Sequence, residues 1–248
     1  MDLTQVVGAI SVPRLSFYKT YLGCQSEGQQ VGTYLAFQDL SGEFFSVLQM
    51  VEVGLRNAIN EAAKQHFKSS SWFDSAPQTK KSKELVVLAK EKALSECGAR
   101  YSDDDVVCRL SLGFWVYMLD SAHRDTANKS AYLWSPEMRD VAFGNAKNPW
   151  GGKLTISTLF DEFQKILKLR NRLFHHEPIW KKHKCQSIDV AVDNVRKEYD
   201  FLLKALGYVS PGKATLLSCV GSPDRFNKRC NKEFINYVVG KVESPKAA

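Results

Sequence analysis

The sequence predicts an all-α protein, and three observations lead there. Apolar residues recur at three- and four-residue steps over most of the chain. No strictly alternating run longer than a few residues appears. Fifteen Gly and eight Pro in 248 residues are few for a β-sandwich of this length. A chain this long buries roughly three-quarters of its unfolded surface, so it needs neither disulfide nor metal to fold. Apolar residues at 44% and charged residues at 25% lie near the globular average and exclude disordered and fibrous classes. No run approaches eighteen apolar residues, so no membrane partner is expected. The opening Met1-Asp2-Leu3 lacks the basic and apolar regions of a signal peptide, and a cytoplasmic location is expected.

Each element follows from its own spacing. Leu40, Phe44, Leu48, Val51, Leu55, Ile59 and Ala62 predict one long helix over about 39–67, ended by the Ser-rich run 69–71, Trp72 and Pro77. A second helix covers about 82–97. A third runs from about Ser102 to Leu119, its start marked by Asp103, Asp104 and Asp105, which suit the positive end of the helix dipole. Pro136 opens a short helix, and the run Asn148-Pro149-Trp150-Gly151-Gly152 closes that region. Leu159, Phe163, Ile166 and Leu173 define a helix over about 155–176, stopped by Pro178. Ile188, Val192, Val195, Tyr199, Leu202 and Leu206 define the next, ended at Gly207. Ser210-Pro211 and Ser222-Pro223 each read as an N-cap followed by Pro at the first helical position. With no repeat, low-complexity tract or linker, the expected organisation is one helical domain over 1–221 and a short basic extension over 222–248.

The formal net charge is +7. Seven basic residues (Lys165, Lys168, Arg170, Arg172, Lys181, Lys182 and Lys184) face one acid, Glu177, between Gln164 and Lys184. Such a concentrated positive field suits an anionic partner, and equally a plain solvated face. The six cysteines form no CxxC and no zinc-ligand spacing, so buried thiols are expected, with no metal and no cofactor. His66, His123 and His183 are isolated and read as surface or satisfied side chains. Phe114 and Trp115 read as core.

The chemistry-bearing stretch is Leu169-Arg170-Asn171-Arg172-Leu173-Phe174-His175-His176-Glu177-Pro178. At 100° per residue, Phe163, Ile166, Leu167 and Phe174 all fall within about 60° of Arg170. Arg170 therefore lies on the apolar stripe, where a guanidinium must be paired or face an anionic ligand. Asn171 and His175 stand one turn apart at the stripe's edge, so the amide can orient the imidazole. An Arg followed by Asn, with His five residues after the Arg, arises by chance roughly 0.01 times in such a composition. These groups suit metal-free RNA cleavage: a His base takes the ribose 2′-OH proton, and a fixed Arg stabilises the charge gathered on the phosphorane. The plainer alternative is a salt-bridged Arg170 and two histidines favoured at the helix's C-terminal dipole end.

The string Arg170 to Ile179 resembles the signature of the bacterial abortive-infection (Abi-like) family of the HEPN superfamily, whose Arg-Asn-x-x-x-His motif marks helical ribonucleases. Ile10–Leu15, Tyr34–Phe37, Leu48–Ile59 and Leu110–Val116 resemble the same family in matching order, so the likeness spans about 10–210. It departs at Phe174, where a small residue is expected. The resemblance implies a helical bundle with antiparallel long helices, usually a homodimer whose paired motifs form one RNA-cleaving site. It also implies a role in phage defence or a toxin–antitoxin system, restrained by a protein or RNA antitoxin. Carried over, the catalytic candidates are Arg170, Asn171 and His175, with Glu52, Arg56 and Asn57 supporting. Glu52 and Arg56, one turn apart, also fit a simple i,i+4 ion pair. Arg172, His176, Lys181, Lys182 and Lys184 are the candidates for contacting RNA. The rival expectation is a non-catalytic helical module that binds RNA or nucleotide with the same face.

Overall fold

Helices follow one another along the chain in this order: α1 (Leu3–Ile10), α2 (Val12–Leu22), α3 (Glu27–Gly42), α4 (Phe44–Phe67), α5 (Trp72–Ser75), α6 (Lys80–Cys97), α7 (Asp103–Arg109), α8 (Leu112–Tyr117), α9 (Pro136–Phe143), α10 (Ile156–Phe174), α11 (Ile188–Val209), α12 (Pro211–Cys219), α13 (Ser222–Arg229) and α14 (Lys232–Glu243). The structure is a computed structural model and describes residues 2–124, 131–182 and 184–244. His183 and the end of the expected extension, 245–248, lie outside the described residues. The described residues form no strand, only an isolated bridge between Lys147 and Lys153. None of their helices is long and apolar enough to cross a membrane.

Helix ends differ from expectation for local reasons. The single helix expected over 39–67 is two, α3 and α4, separated at Glu43. Ser41 and Gly42 are weak helix formers, and the Ser41 hydroxyl donates back to the Phe37 carbonyl at 2.7 Å. The helix expected over 102–119 divides where Leu110 turns extended and Ser111 caps α8 by accepting from the Phe114 amide. Its first half starts on a capping box: the Ser102 hydroxyl accepts from the Asp105 amide, and the Asp105 carboxylate accepts from the Ser102 amide. Those bonds from Ser102 hold the Asp105 carboxyl down at about 2. α11 runs through Gly207 to Val209 and stops where Pro211 disfavours helical backbone at the residue before it. Ser222 is not a cap but the buried first residue of α13; Gly221, at φ +69°, takes the turn.

Two compact units are distinguished. Unit 1 comprises Met1–Leu48, Leu169–Leu203 and Thr215–Ala248; unit 2 comprises Gln49–Lys168 and Lys204–Ala214. In unit 1, Tyr18, Phe37 and Trp180 form one aromatic cluster, with centroids 5.3–6.5 Å apart. Tyr199 and Phe226 form another, stacked at 3.8 Å with Phe44 edge-on to both. The expected basic extension is helical and packed within this unit. Phe226, Cys230 and Ile235 are buried, and Arg229 is paired with Asp39 and Glu43. α14 lies so close to α3 that a Cβ at Gly32 would stand 2.6 Å from the Val239 Cα. Unit 2 is built on Trp72, Phe114, Trp115, Phe143 and Phe163, all fully buried, so Phe114 and Trp115 are core as expected. No cysteine is in a disulfide; Cys24, Cys185 and Cys230 are buried, whereas Cys97, Cys108 and Cys219 stand at the surface, unlike the expectation for thiols in general.

Candidate functional site

The motif occupies the last turns of α10 and the loop after it, all in unit 1. Leu169 and Leu173 are buried and anchor the turn. Arg170, beside that buried edge, is half-buried. Its Nε is closed off from solvent and makes no hydrogen bond among the described residues. The guanidinium carbon lies 4.1 Å from the centre of the Phe174 ring. The partner expected for a guanidinium on the apolar stripe is thus an aromatic face rather than a carboxylate, a contact favoured by the ring quadrupole. Phe174 is half exposed and meets the Phe45 ring edge-on at 5.4 Å. The residue at which the family likeness departs is therefore the platform for Arg170.

α10 ends in a Schellman arrangement. The His176 amide donates to the Leu173 carbonyl at 3.0 Å, and the Glu177 amide donates to the Arg172 carbonyl at 2.8 Å. The residue that must turn left-handed is His176, at φ +54°, where Gly is usual. The expected helix thus stops at Phe174 rather than His176, and His175 and His176 are both exposed just past it. Asn171 is exposed one turn before His175. The two are joined through the backbone, His175 N–H to Asn171 carbonyl at 2.9 Å; among the described residues no hydrogen bond links their side chains.

The remaining candidates are placed as follows. Arg172 turns to the following loop, donating to the carbonyls of Pro178 at 2.5 Å and Lys181 at 3.3 Å, with Glu177 at 3.6 Å. It clamps the loop carrying Lys181. Lys181 lies over the Phe17 ring at 3.7 Å and the Tyr21 ring at 4.7 Å. Lys182 pairs with Glu198 at 2.6 Å. Lys184 is exposed, at φ +63°. Glu52, Arg56 and Asn57 lie on α4 in unit 2. Arg56 Nε donates to Asn57 Oδ1 at 3.4 Å, and among the described residues no ion pair joins Glu52 and Arg56. Arg56 instead adds to a second positive charge: burial, and after it the neighbouring Arg56, lower the pKa of the Lys213 amine.

Unit 1 also holds a cavity of about 270 Å³. Its rings are Tyr18, Tyr34, Phe37, Phe45 and Trp180, and its polar groups come from Arg14, Gln38, His176 and Glu177. Burial raises the Tyr18 hydroxyl far above the usual tyrosine range. Gln38 Nε2 donates to the Tyr34 hydroxyl at 2.6 Å. Sequence reasoning missed this cavity and missed Lys213. The rings come from α2, α3, the start of α4 and the loop after α10, and no periodicity announces such distant partners. The one available signal is Ile179-Trp180 directly after a helix stop, apolar where a loop is usually polar.

Elsewhere, His123 is buried in unit 2. Its Nδ1 lies 3.4 Å from the Pro77 carbonyl, and burial lowers its pKa. His66 is half-buried on α4. Among the described residues no group of three or more His, Cys, Asp or Glu side chains gathers as a metal cage would. No family model, curated protein or solved structure matches the chain.

Proposed function

We propose that the protein is a metal-independent endoribonuclease. The observation that carries this reading is a guanidinium fixed over the Phe174 ring, its buried Nε without a hydrogen-bond partner among the described residues, on the helix turn next to exposed His175. A cation held in place yet short of an acceptor is suited to charge that appears only in a transition state. In the reaction, His175 takes the proton of a ribose 2′-OH. The 2′-oxygen attacks the adjacent phosphorus, Arg170 stabilises the charge on the phosphorane oxygens, and the bond to the 5′-oxygen breaks. A second acid protonates that oxygen. His176, or His175 of a second copy in a homodimer, supplies this proton. The products carry a 2′,3′-cyclic phosphate and a 5′-hydroxyl.

The motif likeness extends the proposal. The fold is of HEPN type with antiparallel long helices, and the enzyme acts in the cytoplasm in phage defence or as the toxin of a toxin–antitoxin pair. The test is incubation of purified protein with total RNA in EDTA, followed by mapping of fragment ends. Cyclic-phosphate and 5′-hydroxyl ends support the assignment. Cleavage that requires added Mg²⁺ overturns it. Tight RNA binding without cleavage turns the site into a binding module, a reading to which the missing Asn171–His175 side-chain bond gives some weight.

A further inference from the structure

Apart from His176 on its rim, the cavity of unit 1 has no part in the mechanism above, yet its wall adjoins His175 in the chain. We propose that it is a nucleobase subsite that takes one unstacked base next to the cleaved phosphate, an inference that rests on the ribonuclease reading. Its volume, about 270 Å³, sits just below the ~300 Å³ at which small-molecule sites begin. It has room for a base and little more. Its lining has the character of single-stranded RNA sites, where bases stack on aromatic rings and are read along their edges. Tyr34 and Phe45 offer ring surface while remaining partly open to solvent. Gln38 keeps its Oε1 as an edge acceptor while its Nε2 is held by Tyr34. Arg14 supplies a guanidinium for the phosphate that travels with the base.

One further observation points to a working site. Trp180, in the cavity wall, is fully buried and closes the floor beside the Tyr18 ring, 5.3 Å away between centroids. His176 holds a left-handed backbone that costs a non-glycine residue roughly 1–2 kcal/mol. Strain kept at a cavity rim is characteristic of working sites. Phe45 joins the two places physically, lining the cavity while touching the ring that supports Arg170.

The experiment has two arms on the full chain. In one, the four nucleoside 5′-monophosphates are titrated calorimetrically. In the other, cleavage sites on a random-sequence RNA pool are sequenced. Both compare wild type with Gln38→Ala, Tyr34→Ala and Tyr34→Phe. The expected result is a preferred base beside the cleaved phosphate. That preference falls about fivefold or more in Gln38→Ala and Tyr34→Ala, as loss of one stacking or edge contact implies, and persists in Tyr34→Phe. A preference unchanged in all three variants overturns the subsite while leaving the ribonuclease standing. If wild type cuts no RNA but binds one mononucleotide, and Gln38→Ala and Tyr34→Ala lose that binding, the subsite stands as a free-nucleotide site and the ribonuclease reading falls. Neither cleavage preference nor mononucleotide binding in wild type removes the subsite, and with it the nucleotide occupant in favour of another.

Discussion

The contact between Arg170 and Phe174 has a measurable energy. Phe174 is 50% exposed. Full burial of a Phe side chain stabilises by about 1.5–3 kcal/mol, so half-burial is worth about 1 kcal/mol. The edge-on contact with Phe45 adds about 0.5–1.5 kcal/mol. The guanidinium 4.1 Å over the ring adds about 0.5–1 kcal/mol at so exposed a site. Phe174→Ala is therefore expected to cost about 2–3.5 kcal/mol. The cation's share is isolated by a double-mutant cycle of Phe174→Leu and Arg170→Met, measured by urea denaturation at neutral pH. Leucine keeps apolar bulk without the π-face, and methionine keeps the stem without the charge. A coupling energy of about 0.5–1 kcal/mol is expected. Arg170→Met alone should cost less than about 1 kcal/mol, because no partner carboxylate is left stranded. In the cleavage assay Phe174→Leu should lose about tenfold or more, since the guanidinium is no longer fixed. Coupling below about 0.3 kcal/mol together with wild-type cleavage refutes the role given to the ring.

Three other outcomes are expected. His176→Gly should stabilise the fold by about 1 kcal/mol by relieving the left-handed backbone, read as a higher urea midpoint at unchanged slope; a loss of stability would mean that the imidazole's contacts outweigh the strain. Burial depresses the His123 pKa, so the unfolded chain binds more protons than the folded one just below pH 6.5. Stability should then fall as pH drops through 6.5 toward the depressed value, and His123→Gln should flatten that fall; identical pH profiles would contradict the assignment. With Lys181 over two rings and Lys182 paired to Glu198, Lys184 is the exposed member of the basic trio. Neutralising all three should reduce the slope of log K against log salt by closer to about 0.7 than to about 2. A reduction near 2 would put all three on phosphate.

The all-helical class was legible because apolar spacing survives in every long helix, and the start of α7 was legible in its acidic first turn. Interruptions were not. The breaks at Glu43 and at Leu110–Ser111 depend on local side-chain hydrogen bonds that leave the apolar period intact across the break. Gly207 misled because a glycine inside a well-packed helix costs only about 1 kcal/mol, which the packing of Leu202, Ala205 and Leu206 offsets. At the site, the angular position of Arg170 was readable and its half-burial agrees with it. Its neighbour was not, because an aromatic ring four residues on looks like one more core side chain. Arg172 appeared free to meet RNA, but its donors are engaged by a loop whose path depends on the left-handed turn at His176. The cavity was illegible for a different reason: its rings come from segments more than a hundred residues apart.

The central claim is that His175 is the base of a metal-free RNA cleavage. The most direct measurement is single-turnover cleavage of an RNA substrate in EDTA across pH 5 to 9, with wild type and His175→Ala side by side, both checked for helical content and urea midpoint. Because His175 is exposed past the end of α10, its removal should change stability by less than about 1 kcal/mol. The account predicts metal-free cleavage by wild type, and loss of about a hundredfold or more in the folded variant at every pH at which wild type is active. Equal rates in the two proteins would contradict it.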